Sequence, residues 1–275
     1  MQPWAASGFE RQRYGRITEK AVITASEKLT EGIFSIWIKS GVAGQAGPGQ
    51  FVMIYPQDGS RLLGRPISIC RTCPGKGELN LVFRVAGEGT AEFSALRPGD
   101  EVRITGPLGR GFDPGACEGT AFLVGGGIGL PPLLGLGMAL AQAGKDFRFV
   151  LGYRNSDMFL YDDFVSCGGA ERVIIATEDG SAGVRGNVLD AIRAADVSPD
   201  LIYSCGPMPM LRALKAYGGE KGIRTFISLE ERMACGVGAC LGCVCRTVEK
   251  DGHSMVNNAR ICVEGPVFDA SEVDI

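Results

Sequence analysis

The chain has 275 residues, enough for two ordinary domains and a smaller one. Its composition, 45% hydrophobic and 21% charged, is typical of a soluble globular protein. A net charge of −3 gives no indication that the chain binds nucleic acid or an anionic membrane. No apolar signal sequence occurs in Met1–Arg13, and a chain this long needs no disulfide framework for its ten cysteines. We therefore expect a reducing, cytoplasmic location.

The first part of the chain, residues 13–113, is predicted to form an antiparallel β-barrel. Short β-rich stretches alternate with turns such as Gly47-Pro48-Gly49, and a short helix is expected at about Thr90–Leu96. Six strands at this spacing fit a small barrel. The predicted strands are Ala21–Ile23, Ile33–Ile38, Phe51–Tyr55, Pro66–Cys70, Glu78–Val85 and Glu101–Ile104.

Residues 114–228 alternate between strands and helices, which predicts a doubly wound parallel sheet. Gly119–Gly144 holds 26 residues without a charge, but its glycines and Pro131-Pro132 break a continuous membrane helix. It fits a buried strand, a glycine turn and a helix. The predicted strands are Ala121–Val124, Phe147–Leu151, Val173–Ala176, Leu201–Ser204 and Arg224–Ser228, with helices at Pro132–Ala143, Gly186–Ala195 and Pro207–Tyr217.

Residues 229–275 form a cysteine- and glycine-rich module with a weak strand predicted at Val244–Val248 and a turn at Lys250-Asp251-Gly252. Its cysteines follow the pattern C-x4-C-x2-C with a distant fourth, which is the plant-type ligand pattern of a [2Fe–2S] cluster. The predicted ligands are Cys235, Cys240, Cys243 and Cys262. A four-cysteine zinc site is the alternative, although zinc sites more often contain two C-x2-C pairs. Cys245 repeats the first spacing but has no following C-x2-C, so we leave it outside the cluster.

Two glycine- or arginine-containing motifs lie in the first part of the chain. Arg65-Pro66-Ile67-Ser68 places a guanidinium beside a small hydroxyl, which suits a diphosphate and a ring heteroatom. Gly87-Glu88-Gly89-Thr90 precedes a helix and offers backbone N–H groups to an anion. Either motif alone also fits an ordinary strand edge or turn.

A strand-to-helix turn in the second part suits a dinucleotide pyrophosphate. It contains Gly125, Gly126, Gly127 and Gly129, but Pro132 stands at the third glycine position of G-x-G-x-x-G. Cys205, Gly206 and Pro207 follow a later strand at the sheet edge where ligands bind. A buried cysteine there fits inert packing equally well. The only histidine, His253, is expected in a solvated turn, and one histidine excludes a Rieske centre within this chain.

The order of these motifs, from Arg-Pro-x-Ser to Cys-Gly-Pro, resembles the ferredoxin–NADP reductase superfamily over Arg13–Ser228. With the cysteine module and Gly265-Pro266, the whole chain resembles the electron-transfer subunits of class 1B dihydroorotate dehydrogenase. The resemblance implies FAD on the barrel and NAD(H) on the α/β domain. By this resemblance, the residues that contact FAD are Arg65, Pro66, Ile67, Ser68, Val82, Phe83, Arg84, Gly89 and Thr90. The residues that face NAD(H) are Gly125–Gly129 and Cys205–Pro207.

The same resemblance implies the reaction and the partner. Electrons would pass between NAD(H), FAD and the cluster to an FMN-containing catalytic subunit that oxidises dihydroorotate to orotate, in a heterotetramer with two copies of each chain. No catalytic acid or base is assigned to this chain. Val237, Ala239 and Leu241 are expected either to form part of the docking patch or to pack inward. Arg154 leaves NADP open as the coenzyme, although the resemblance favours NADH.

Two alternatives have different partners or chemistry. The chain fits the NAD(P)H-oxidising FAD/[2Fe–2S] subunit of a hydrogenase or of an NADH–ferredoxin transhydrogenase complex. It also fits a non-enzymatic scaffold with one zinc ion at the four cysteines.

Overall fold

The computed structural model describes residues 15–250 and 255–275. The N-terminal stretch Met1–Arg13, His253 and most of the turn predicted at Lys250–Gly252 lie outside the described residues.

Six antiparallel strands close into a barrel in the order β1-β2-β5-β4-β3-β6, which confirms the predicted architecture. The first strand is much longer than predicted because its first half pairs with the sixth strand and its second half with the second strand. A short helix, α1 (Glu88–Ser94), follows the fifth strand. The strands are β1 (Ile17–Thr30), β2 (Ile33–Lys39), β3 (Phe51–Tyr55), β4 (Arg65–Cys73), β5 (Glu78–Arg84) and β6 (Glu101–Leu108).

The barrel interior is filled by side chains, so it is a packed core. Ile67, Ile69, Leu81 and Phe83 point inward at alternate strand positions, as the period of two requires. The ring of Phe83 meets Phe93 of α1 edge to face, with centroids 6.2 Å apart. A cofactor carried by this barrel must therefore lie on its outer surface.

The second part forms the predicted parallel sheet, with β9-β8-β7-β11-β12 in that spatial order. The chain runs outward from β7 to β9 and then returns to β11 on the other side of β7, which creates a switch point between β7 and β11. Helix α3 and the short strand β10 were not predicted. The elements are β7 (Ala121–Gly126), α2 (Leu130–Gln142), β8 (Phe147–Tyr153), α3 (Tyr161–Gly168), β9 (Val173–Thr177), β10 (Val184–Arg185), α4 (Val188–Ala194), β11 (Leu201–Cys205), α5 (Met208–Lys221) and β12 (Arg224–Ser228).

The C-terminal residues form a hairpin and then rejoin the sheet. Strands β13 (Val244–Arg246) and β14 (Asn258–Arg260) pair with each other, so the predicted strand at 244–248 is two residues shorter. Strand β15 (Val267–Asp269) pairs antiparallel with β12 and completes a seven-stranded sheet. The cysteine-rich segment is thereby held between this sheet and the barrel, an arrangement that was not predicted.

The barrel and the sheet are in direct contact through α2 and α3. A β-carbon on Gly135 of α2 would lie 2.5 Å from the carbonyl oxygen of Cys70 on β4, so only glycine allows this approach. Arg71, next to it, forms an ion pair with Asp163 of α3, and its guanidinium lies 5.3 Å from the ring centroid of Trp37. None of the helices in the described ranges has the length and apolar character that a membrane crossing requires.

Candidate flavin, nicotinamide and cluster sites

The structure brings the first two predicted motifs together at one end of the barrel. Arg65 begins β4, and a β-carbon on Gly89 would lie 2.8 Å from its Nε atom. Nη1 of Arg65 donates a hydrogen bond to the carbonyl of Leu63 at 2.6 Å. Thr90 accepts from the amide N–H of Ala86 at 2.8 Å, which holds the turn before α1. A guanidinium above a glycine turn is a suitable arrangement for a diphosphate.

The other residues of the predicted flavin site divide between the two faces of the strands. The side chains of Ile67 and Phe83 are buried in the barrel core and are not available to a bound molecule. Pro66 and Ser68 are half-buried on β4, while Val82 packs into the hydrophobic core shared with the α/β sheet. Arg84, at the end of β5, is exposed and extends toward Gly127. The available face therefore looks toward the sheet.

The glycine turn and the Cys-Gly-Pro motif meet at the switch point. Gly125 pairs with Cys205 across β7 and β11, and a β-carbon on Gly129 would lie 2.3 Å from the carbonyl oxygen of Cys205. A β-carbon on Gly126 would lie 3.5 Å from Pro207. This close backbone approach leaves the carboxyl ends of both strands open to a ligand, which is where open α/β sheets bind nucleotides.

Cys205 and Arg154 also lie at this edge of the sheet. Burial raises the pKa of the Cys205 thiol to about 12, although a hydrogen bond with Ser228 opposes the shift. Cys205 is therefore a neutral thiol at neutral pH and fits the packing role better than an ionised one. Arg154 is exposed just after β8, and its carbonyl accepts from the amide of Asp179 at 3.3 Å.

The four predicted cluster cysteines come together as two pairs. Cys235 and Cys240 lie within hydrogen-bond reach of each other, and so do Cys243 and Cys262. The amide of Val237 points at Sγ of Cys235 at 3.4 Å, and the amide of Ile261 donates to the carbonyl of Cys243 at 2.9 Å. Across residues 15–250 and 255–275, no three ligating side chains converge on one point. Two pairs of thiols suit two metal atoms with two thiolates each, as in a [2Fe–2S] core.

The thiols differ in how readily they ionise. Burial opposes ionisation of Cys235, but amide N–H groups of Val237 and Cys240 and the Cys240 side chain lower its pKa to about 6. Burial and the neighbouring Cys243 raise the pKa of Cys262 to about 12. Because metals bind thiolates, loading the site must release the Cys262 proton.

Two glycines allow the cluster loop to lie against the barrel and to bend around its own cysteine ligands. Gly236 and Gly238 have φ angles of +67° and +85°. A β-carbon on Gly236 would lie 2.7 Å from Cγ of Met53 on β3, which brings the cluster loop against the flavin barrel. Cys245 lies opposite Ala259 in the β13–β14 hairpin, and burial raises its pKa to about 11.

Arg260 supports the loop and was missed at the sequence level. Its Nη1 donates to the carbonyl of Gly238 at 3.1 Å, and its guanidinium forms an ion pair with Glu264. The available signal was an arginine two residues before Cys262 and four before a glutamate.

Comparisons with known proteins agree with this geometry. Residues 230–274 match the family described as the iron-sulfur cluster binding domain of dihydroorotate dehydrogenase B. The chain is 41% identical over 260 residues to the dihydroorotate dehydrogenase B (NAD(+)) electron transfer subunit of Listeria innocua, covering 94% of this chain and 99% of that protein. It is 39% identical over 261 residues to the same subunit from Bacillus cereus, covering 93% and 98%.

Among solved structures, a similar one is an NADH-dependent reduced ferredoxin–NADP oxidoreductase studied for flavin-based electron bifurcation. It is 31% identical, with a TM-score of 0.82, and the alignment covers 92% of this chain and 89% of that one. The ferredoxin reductase of carbazole 1,9a-dioxygenase, at 22% identity and a TM-score of 0.65 over 77% and 68% of the two chains, shares the fold. The identity over nearly the full length of both chains shows that this chain belongs to the family of electron transfer subunits of dihydroorotate dehydrogenase B (NAD(+)).

Proposed function

We propose that the chain carries electrons between NAD(H) and the catalytic subunit of a dihydroorotate dehydrogenase, through one FAD and one [2Fe–2S] cluster. Its full-length similarity to electron transfer subunits supports this role. So does the position of the cluster loop, which touches the barrel through Gly236 and exposes Cys240 on its other side. That single arrangement, with the cysteines between the barrel and the surface, is the observation that carries the proposal.

The residues of this chain fit FAD, NAD(H) and the iron–sulfur cluster. Arg65 and the Gly89–Thr90 turn would hold the FAD diphosphate, and Ser68 lies on the face that looks toward the sheet. The turn Gly125–Gly129 and Cys205–Pro207 would hold NAD(H) beside it. When bound, the flavin exchanges electron pairs with nicotinamide and single electrons with the cluster. The four cysteines Cys235, Cys240, Cys243 and Cys262 would bind the iron.

The chain's own contribution is to position these groups. The hydrogen bond from Arg65 to the Leu63 carbonyl orients the guanidinium, and the Thr90 hydroxyl holds the adjacent turn. The amide of Val237, 3.4 Å from Sγ of Cys235, favours thiolate over thiol at that ligand. The amide of Gly242 lies 3.4 Å from Sγ of Cys240. None of these residues takes a proton from dihydroorotate, so that step belongs to the catalytic subunit.

The docking surface lies beside the cluster loop. Val237 packs inward against an apolar cluster, whereas Leu241 is 61% exposed at a left-handed φ of 55°. Other exposed apolar side chains occur in the segment that follows the loop, on β13 and in the connection from β13 to β14. They are Val244, Val248, Met255 and Val256. Exposed apolar residues next to an exposed cluster ligand suit a partner that receives electrons over a short distance.

The finer features of the assembly rest on the family resemblance. We infer that the partner contains FMN and that two copies of each chain form a heterotetramer. All ten cysteines are free of disulfides, which suits a reducing compartment such as the cytoplasm. The three segments 13–113, 114–228 and 229–275 are the corresponding domain boundaries that we propose.

The test is to purify the chain alone and then with its catalytic subunit. Alone it should contain one FAD, two irons and two acid-labile sulfides, and NADH should bleach the flavin absorbance. With the partner, dihydroorotate should reduce NAD⁺. One zinc ion per chain, or no flavin, would contradict the proposal.

A second function is suggested by the NADH-dependent reduced ferredoxin–NADP oxidoreductase, which is 31% identical. In that case the acceptor would be ferredoxin. The dihydroorotate dehydrogenase relatives are more similar, at about 40% identity, so the first proposal is favoured. Supplying the NADH-reduced chain with ferredoxin, or with the catalytic subunit and orotate, separates the two.

A further inference from the structure

The two arginines at neighbouring strand ends of the barrel reach two different glycine turns. Arg65, at the start of β4, lies over Gly89 within the barrel. Arg84, at the end of β5, extends across to the other sheet, where a β-carbon on Gly127 would lie 3.3 Å from its Nη2. The family resemblance assigns both to FAD, but the structure separates them by the turn that each one faces.

The first turn of α2, which follows the glycine turn that Arg84 faces, is short of hydrogen-bond donors. The start of α2 contains Pro131 and Pro132, which have no N–H group, and the amide of Leu130 is already bonded to the carbonyl of Gly127. A standard dinucleotide turn presents several amides of this first turn to the pyrophosphate. Here the glycines still allow close approach, but part of the positive potential must come from a side chain.

The side chain of Arg84 is free to supply this positive charge. Its side chain is exposed, and no carboxylate in the described parts of the chain lies within ion-pair distance of it. The alternation of β5 explains its direction, because Phe83 points into the barrel core while Val82 and Arg84 point toward the sheet. Val82 is buried in the core shared with the sheet, which fixes this part of the strand next to the turn.

We propose that Arg84 binds the pyrophosphate of NAD(H), so that the flavin barrel contributes a cationic ligand to the coenzyme site of the other domain. This inference rests on the proposed function, because it requires NAD(H) at the Gly125–Gly129 turn. A guanidinium binds two phosphate oxygens in a fixed geometry and keeps its charge at all relevant pH values. Arg65 then serves the FAD diphosphate and Arg84 serves the coenzyme, one arginine for each dinucleotide.

The test uses the FAD-loaded protein and two probes that do not reduce the flavin, NAD⁺ and ADP-ribose. Their dissociation constants are measured by titration calorimetry for the wild type, Arg84→Met, Arg84→Lys and Arg97→Met. Arg97 is a matched control, because it is another exposed arginine of the barrel. FAD per chain is measured for each variant, and any variant that has lost flavin is reconstituted with FAD before titration.

Arg84→Met should bind both probes roughly 10- to 100-fold more weakly, as expected for the loss of a hydrogen bond to a charged group. Arg84→Lys should recover part of the affinity, because it keeps the charge without the two-pronged geometry. Arg97→Met should match the wild type, and FAD content should stay at the wild-type level in all variants.

Unchanged ADP-ribose affinity in flavin-loaded Arg84→Met would overturn the inference, and a loss of FAD with normal ADP-ribose affinity would return Arg84 to the flavin site. If the wild type itself bound neither probe, the proposed function would fail instead.

Discussion

Replacing Gly129 with alanine tests the geometry of the switch point. A β-carbon there would lie 2.3 Å from the oxygen and 2.4 Å from the carbon of the Cys205 carbonyl, and 2.6 Å from Cα of Gly206, whereas ordinary contacts begin at 3.4 Å. The two strand ends would have to separate by roughly 1 Å. All three neighbours are backbone atoms at the carboxyl end of β11 or directly after it, and β11 lies inside the sheet, so no flexible side chain can move away.

The size of the effect follows from this steric overlap alone. Gly129 has φ −80° and ψ −8°, which alanine adopts without strain. Overpacking costs about 1–3 kcal/mol, and a clash with backbone belongs at the upper end. We expect a loss of about 3 kcal/mol and a thermal midpoint lower by about 6–12 °C. NAD⁺ binding should weaken as well, because the turn no longer lies against Cys205.

Gly126→Ala is the control in the same turn. Its β-carbon would lie 3.2 Å from the sulfur of Met210, a flexible side chain, and its φ of −149° is allowed for alanine. It should cost less than about 1 kcal/mol. Thermal unfolding followed by far-UV circular dichroism compares the two variants. Equal midpoints for Gly129→Ala and Gly126→Ala would refute the steric reasoning.

Four further changes probe the rest of the chain. Cys240→Ser should lower iron and labile sulfide and stop electron transfer to the partner, while NADH still reduces FAD in a stopped-flow measurement. Leu241→Asp should weaken assembly with the partner about 10- to 100-fold by ultracentrifugation, because it removes about 1.5–3 kcal/mol of apolar burial. Asp163→Asn should lower the free energy of unfolding by about 1–2 kcal/mol in urea, because the partly buried Arg71 loses its charged partner. Cys205, with a pKa raised by burial from 9.0 to about 12, should resist iodoacetamide at pH 8 and react faster only as the pH rises toward 12.

Each of these has a control or a contradicting outcome. Cys245→Ser should keep the cluster, and loss of iron there would place Cys245 among the ligands. Met138→Asp changes an apolar residue that is 42% exposed on α2, and it should not affect assembly. Unchanged urea unfolding of Asp163→Asn would show that the ion pair with Arg71 contributes nothing. Rapid alkylation of Cys205 in the folded protein at pH 8 would contradict the raised pKa of its thiol.

Local signals were enough to predict most of the elements and the motifs. Turn residues and the β-rich stretches between them indicated the six barrel strands, and the glycine turn before α2 broke the uncharged stretch 119–144 as expected. The spacing of Cys235, Cys240, Cys243 and Cys262 predicted a cluster site, because ligands on one tight loop must recur at short intervals. Helix α3 was missed because Tyr161–Gly168 is short and ends in glycine.

Only the tertiary structure decided how these parts meet. Strand β15 pairs with β12 some forty residues earlier in the chain, and a three-residue strand carries too little pattern of its own to predict a partner. The separation of Arg65 from Arg84 likewise depends on which turn each strand end faces after the barrel docks on α2. The sequence by itself determined the residue types that can hold phosphate, flavin and iron, because that is local chemistry. Packing between distant segments determined which of those residues share a site, because contact across a fold does not depend on proximity in sequence.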